Sequence, residues 1–211
     1  LYARAPVSKF SSAILAALFA LAGATGCNRP ATDQRETASG PSPALAAAAL
    51  TDQEGRALSF ADFTGKTVIF SVFFSNCPTV CPRQTQALAQ VQRQLSPALA
   101  QRVRFVSLSV DPENDTPEAM RKFALANGAD MNGWSFVRAS APTTRTLTRE
   151  LAALATPVKA AEEPSSHTTA VYLFDGGNRL MQRYSGSPID VVRLVHEVEA
   201  LDTWFQKKNR T

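Results

Sequence analysis

Two cysteines stand four apart in the run Phe74-Ser75-Asn76-Cys77-Pro78-Thr79-Val80-Cys81-Pro82. One helical turn of separation brings both sulfurs to the same side, within reach of a disulfide or of a shared soft metal ion. Pro82 lacks an N–H and so belongs in a first helical turn, which puts the thiols at a helix N-terminus. The N–H groups and dipole there favour anions and lower thiol pKa values. A purely structural bridge across so short a loop would add little stability, so redox or metal chemistry is the expected use. Other soft ligands are few: a third cysteine, Cys27, and two histidines, His167 and His196. An odd cysteine count leaves at least one thiol outside any intramolecular disulfide.

The elements that must hold these residues follow from apolar patterning. Thr67–Phe74, TVIFSVFF, is a near-continuous β-branched and aromatic run, the pattern of a strand buried on both faces. Gln84–Leu95 shows helical spacing through Leu88, Val91 and Leu95. Val103–Val110 reads as a second strand. Thr116 and Pro117 open a helix as N-cap and first residue, and Gly128 closes it. Pro142–Ala155 is a third helix. Ala170–Phe174 is a strand that turns through Asp175-Gly176-Gly177-Asn178 into an antiparallel partner, Arg179–Tyr184. Ser187-Pro188-Ile189-Asp190 reads as a capping box for a last helix with Ile189, Val192, Val195, Val198, Leu201 and Phe205 on its buried stripe. Upstream, Asp52-Gln53-Glu54-Gly55 is the turn of a β-hairpin. This order predicts an α/β sandwich of mixed central sheet, flanking helices and N-terminal hairpin, the order of a thioredoxin-like domain.

That fold changes the weight of His167. A lone histidine is usually an ordinary surface or core residue, and His196, beside the stripe of the last helix, is read so. His167 precedes the strand Ala170–Phe174, and in a thioredoxin-like domain the loop before this strand lies against the N-terminus of the cysteine helix. Thioredoxins carry a proline in that loop; here the nearest is Pro164, three residues away. Cys77, Cys81 and His167 would then form a three-coordinate site. Thiolates select Cu(I), zinc or iron–sulfur clusters, and imidazole suits copper and zinc. Structural zinc usually takes four protein ligands, and the sequence offers no fourth Cys or His, so copper is favoured.

The N-terminus carries two positive charges, Arg4 and Lys9, then the apolar run Ile14–Ala22 and the small residues Gly23-Ala24-Thr25-Gly26 before Cys27. That is the plan of a secretory signal. Ending on Cys resembles a bacterial lipoprotein signal, with Ala24 where Leu is usual, so residues 1–26 are expected to be a leader and Cys27 a lipidated anchor. Residues 27–43, rich in Pro, Ser, Thr and Gly, are expected to be a flexible tether, and 44–208 the folded domain. The domain would work outside the cytoplasm, on the periplasmic side of a bacterial membrane, where neighbouring cysteines can form a disulfide. Hydrophobic residues make up 45% of the 211, a globular balance that excludes a disordered chain. No apolar run reaches the roughly 20 residues of a spanning helix, which excludes a multi-pass membrane protein. Lys plus Arg number 22 against 18 acids, and two of those cations sit in the leader, so the small scattered excess gives no nucleic-acid surface.

Taken together the residues resemble the Sco/SenC copper-binding proteins over about Leu50–Phe205. The marks are Asp52-Gln53-Glu54-Gly55-Arg56, Gly65-Lys66, Cys77-Pro-Thr-Val-Cys81-Pro82, Asp111-Pro-Glu-Asn-Asp115-Thr-Pro117, and His167 followed by Val171-Tyr-Leu-Phe-Asp175. The resemblance implies a thioredoxin-like fold that binds Cu(I) or Cu(II) through Cys77, Cys81 and His167. It implies a part in assembling the binuclear copper centre of cytochrome c oxidase, as copper donor, as thiol reductant of the copper-acceptor subunit, or both. Other periplasmic copper carriers or thiol reductants would be further partners. Asp111 and Asp115 match acidic positions of the family and are candidates for a place beside the copper site or at the partner surface. By their chemistry alone they also suit a strand end and a turn before the Thr116 cap. Family members often have Asp where Ser166 precedes the histidine, which removes an acidic oxygen from that spot.

Two other readings stay open. A metal-free thiol–disulfide oxidoreductase would use the Cys77/Cys81 pair, although that chemistry favours CxxC beside a cis-proline. A peroxiredoxin-like peroxidase would need one activated cysteine with Ser75 and Arg83 nearby. Only the copper reading requires an imidazole at His167.

Overall fold

The computed structural model describes residues 43–153, 170–186 and 188–209, all within one compact unit, Arg35–Thr211. The proposed leader, residues 27–42 of the proposed tether (Cys27 among them) and His167 lie outside the described residues, and Pro43, taken as the tether's last residue, opens the first helix. The chain runs through a short helix α1 (Pro43–Ala47), a hairpin of β1 (Leu50–Asp52) and β2 (Ala57–Leu58), and a 3-10 turn (Phe60–Phe63). Then follow β3 (Thr67–Phe73), α2 (Val80–Gln94), a short α3 (Pro97–Ala100), β4 (Val103–Ser109) and α4 (Pro117–Ala126). The remainder is β5 (Trp134–Arg138), α5 (Ala141–Ala153), β6 (Ala170–Phe174), β7 (Leu180–Ser185) and α6 (Val191–Lys208). The strands form one mixed sheet in the order β2-β1-β5-β4-β3-β6-β7. Strands β3, β4 and β5 are mutually parallel, and β6 lies antiparallel to β3. This is the expected α/β sandwich with an N-terminal hairpin.

The sheet separates two cores because successive side chains of a strand point to opposite faces. On β3, Ile69 and Phe73 join the core under α2, α4 and α6, whereas Val68 and Phe70 join the core of α1, the 3-10 turn and α5. Phe60, Phe70 and Phe174 meet edge to face at 5.2–6.2 Å in the second core. Phe73, the last residue of β3, stacks on Phe123 at 5.2 Å and meets Phe136 edge-on at 5.1 Å in the first. The cysteine loop therefore leaves the sheet from a buried, packed strand end.

Helix α4 is built as its sequence predicts. The Thr116 side chain accepts from Ala119 N–H, Pro117 is the first residue, and Gly128 takes a φ of 78°. The Ala129 and Gly128 N–H groups return to the Ala124 and Leu125 carbonyls, a Schellman ending that needs glycine at the left-handed position. Three readings of the sequence are corrected. Strand β5 interrupts the predicted helix-to-helix connection. The last helix is capped by Asp190, whose carboxylate accepts from Arg193 N–H, so the Ser187–Asp190 capping box is not what opens it; Ser187 itself is outside the described residues. With the start moved to Val191, the buried stripe becomes Leu194, Val195, Val198, Leu201 and Asp202, and Val192 turns outward at 60% exposure. Asp202 is buried because Arg102, at the start of β4, grips it through Nε and Nη2 at 2.7–3.0 Å.

Candidate metal centre

Cys77 sits in the loop between β3 and α2, and Cys81 is the second residue of α2. The loop turns where Cys77 N–H donates to the Phe74 carbonyl at 3.2 Å. Thr79 stands at the N-cap, yet its side chain makes no capping hydrogen bond. Pro82, third in the helix, has no N–H to satisfy. The Cys81 N–H therefore needs an acceptor, and Cys77 Sγ supplies it at 3.3 Å. A sulfur does the work that a Ser or Asp oxygen does at other N-termini.

This arrangement makes the two thiols unequal. Both are free and buried, with 4% and 8% exposure. Burial by itself pushes Cys77 up, but backbone hydrogen bonds at Cys81, Thr79 and Val80 and the Cys81 side chain together outweigh it, holding Cys77 below the ordinary thiol value. Cys81 is pushed up to about 12, mainly by burial, with the Cys77 side chain and the Cys77 and Asp115 charges adding to it and a backbone hydrogen bond at Phe74 opposing it in part.

The two predicted aspartates divide. Asp115 is fully buried and joins two loops. It accepts from Ser75 N–H at 3.0 Å, two residues before Cys77, and from the Ser109 hydroxyl at the end of β4. It thus braces the cysteine loop and places a carboxylate near Cys81. Asp111 is half-buried and shapes its own turn: both its carboxylate oxygens accept from Asn114 Nδ2 at 3.0 Å, and its carbonyl accepts from Asp115 N–H at 2.9 Å. Ser109 is the connector that sequence reading missed. Its hydroxyl also accepts from Asp111 N–H, at 3.1 Å, so one serine links strand, turn and carboxylate. Val110 N–H donates to the Phe73 carbonyl at 2.9 Å, which closes the same junction from the backbone side. His196 is exposed on α6, 3.9 Å from Glu199, as expected of an ordinary helix-flank residue.

Two soft sulfur donors one helical turn apart suit a thiophilic metal ion, above all Cu(I). Among the described residues no group of three or more His, Cys, Asp or Glu side chains is placed to hold a metal. The described centre is thus a two-sulfur site. Pairing of β3 with β6 ends at Ser71 opposite Val171, so the chain enters β6 at the end of the sheet where β3 runs out toward Cys77.

A family model described as SCO1/SenC matches residues 37–201. The chain belongs to the SCO1/SenC family. A curated SCO1/SenC relative, the SCO1 protein homolog of Bacillus subtilis (strain 168), is 34% identical over 86 residues, which is 41% of this chain and 44% of the relative. The match spans less than half the length of that relative. The solved structure of BsSco, described with a disulfide switch and as a member of the Sco family of cytochrome c oxidase assembly proteins, is 25% identical with a TM-score of 0.62. That alignment covers 74% of this chain and 91% of BsSco. Arabidopsis thaliana ScoI, solved with copper bound, shares the fold at a TM-score of 0.57 and 23% identity, over 71% of this chain and 92% of its own.

Proposed function

We propose that this chain is a copper metallochaperone that takes up one copper ion through Cys77, Cys81 and His167. It would serve assembly of the binuclear copper centre of cytochrome c oxidase. The observation that carries this is the free, buried thiol pair at the start of α2, with Cys77 Sγ receiving the Cys81 N–H at 3.3 Å. It stands at the sheet end where β6 begins, and His167 is three residues before Ala170. Three residues of extended chain span about 10 Å, and the copper reading requires the His167 imidazole to meet the sulfurs within that span. Family membership and the copper-bound relative support the choice of metal. We further propose that Cys27 carries a lipid anchor and that the domain works on the periplasmic side of a bacterial membrane. The copper-acceptor subunit of the oxidase would be its partner.

The test is titration of the reduced chain with Cu(I) and Cu(II), followed by absorption spectroscopy. The expected result is one copper per chain and an intense thiolate-to-Cu(II) band, lost in Cys77→Ser and altered in His167→Ala. An unchanged spectrum in His167→Ala removes the histidine from the site. For the anchor, Cys27→Ser should move the processed protein from membrane to soluble fractions. Retention in the membrane would refute it.

One observation favours a second reading, reduction of the acceptor's disulfide. Cys77 is held low and Cys81 high, the arrangement of an attacking thiol with a buried resolving partner. Cys77 thiolate would attack the substrate disulfide, Cys81 would then displace the mixed disulfide, and the substrate would leave as a dithiol with the chain oxidised.

A further inference from the structure

Gln84 follows Cys81 by three residues on α2 and is 4% exposed. Neither its Oε1 nor its Nε2 has a hydrogen-bond partner. Among the described residues it is the one buried side-chain amide with both its oxygen and its nitrogen left unpaired. The other buried amides among the described residues each hold at least one partner, Asn178 through Nδ2, which donates to Thr64 Oγ1 at 3.1 Å while its Oδ1 is unpaired. Gln53 Oε1 accepts from Phe136 N–H at 2.8 Å, and Asn127 donates to the Phe123 carbonyl at 2.8 Å while accepting from Gln86 at 3.1 Å. Burying an amide unpaired is destabilising, and an apolar side chain would pack at this position without that cost. The amide therefore calls for a partner that the surrounding protein groups do not supply.

Its place on the helix says where that partner would be. Residues three apart share a helix face, and helical side chains lean toward the N-terminus, covering the preceding turn. The turn before Gln84 is the one that carries Cys81 and gives its N–H to Cys77 Sγ. We infer that Gln84 is a positioning residue of the copper site, donating Nε2–H to the Cys81 sulfur when that sulfur is a metal-bound thiolate. This rests on the copper reading above. A thiol is a weak acceptor, whereas a metal-bound thiolate is a good one. Such a hydrogen bond orients the ligand and tunes the metal, and groups of this kind are commonly worth tenfold or more in affinity.

The test compares the full reduced chain with Gln84→Leu, which has similar bulk, no donor and no sulfur of its own to bind copper. Three quantities are measured: thermal unfolding without metal, Cu(I) affinity by competition with a chelator, and the energy of the thiolate-to-Cu(II) band. The expected outcome is a metal-free Tm that holds or rises, a Cu(I) affinity lower by about tenfold, and a displaced band. A lowered metal-free Tm with copper affinity and band retained would make Gln84 merely structural and overturn the inference. Gln84→Asn, which keeps the amide but draws it back by one methylene, is the second variant. Wild-type affinity in either folded variant overturns the inference alone. A wild-type chain that takes up no copper overturns the copper reading and this inference with it.

Discussion

Cys77 and Cys81 should differ in reactivity, because Cys77 Sγ accepts the Cys81 N–H at the start of the helix whereas burial pushes the Cys81 thiol up. Only the thiolate is alkylated, and Cys77 is the sulfur held below the usual thiol range. Iodoacetamide on the reduced metal-free chain should therefore modify Cys77 first, starting below the pH at which a free cysteine reacts. Cys81 should stay protected until the pH climbs toward about 12. Peptide mapping across a pH series reads this order directly, and equal rates would contradict it. Asp115 is the other residue whose chemistry is set by what it touches. Asp115→Ala would leave the Ser75 N–H and the Ser109 hydroxyl without their acceptor in a buried junction. Unsatisfied buried groups cost roughly 1–3 kcal/mol each, so a loss of about 3 kcal/mol is expected in urea denaturation. Asp111→Ala should cost much less, because Asp111 hydrogen-bonds within its own half-exposed turn. A larger loss for Asp111 than for Asp115 would reverse the roles assigned here.

At the scale of elements, legibility followed the strength of local chemistry. Strand β3 was readable because seven successive residues suit a fully buried strand. Helix α4 was readable because Thr116, Pro117 and Gly128 each have a stereochemical reason for their place. The N-terminal position of the cysteines followed from Pro82 alone. Strand β5 was not readable: Trp134–Arg138 is five residues long, and its burial depends on pairing with β4 from far along the chain. The start of α6 was misread because Ser187 and Asp190 are both good caps three residues apart, and the choice between them is made by tertiary packing. The bracing of the cysteine loop by Ser109 and Asp115 was also invisible, since it joins residues 34 to 40 positions away from the loop. Two measurements test these assignments. Asp190→Ala should cost about 1 kcal/mol, as loss of an N-cap does. Phe73→Ala removes a buried ring between Phe123 and Phe136 and should cost about 3–5 kcal/mol. Because Phe73 ends the strand that feeds the cysteine loop, the same variant should also speed alkylation of Cys77. A destabilised Phe73→Ala chain with unchanged Cys77 reactivity would separate the packing of the strand end from the site.

At the scale of the whole molecule, the site belongs to one core. Cys77 and Cys81 are members of the cluster that packs α2, α4 and α6 against the sheet, so a ligand on the sulfurs acts on the folded state and not on a detachable loop. Anything that binds the native chain alone stabilises it by RT ln(1 + [L]/Kd), about 4 kcal/mol at a thousandfold excess over Kd. For a domain of 150–250 residues about 1 kcal/mol moves Tm by ~2–4 °C, so saturating Cu(I) should raise Tm by roughly 10 °C. Oxidation should abolish that gain, because a sulfur tied in a disulfide has lost the thiolate charge that holds the ion. The two states exclude one another, and copper must then also resist oxidation of the pair. Four kcal/mol on a two-electron couple, at ~30 mV for each 1.4 kcal/mol, is roughly 90 mV, so the loaded pair should need a poise more oxidising by about that much to close its disulfide. Calorimetry of the reduced and oxidised chains, with and without Cu(I), checks the first half. Thiol alkylation with mass spectrometry at fixed redox poise checks the second. Equal Cu(I) stabilisation of the oxidised and reduced chains would break the exclusion, and with it the assignment of Cys77 and Cys81 as the ligands.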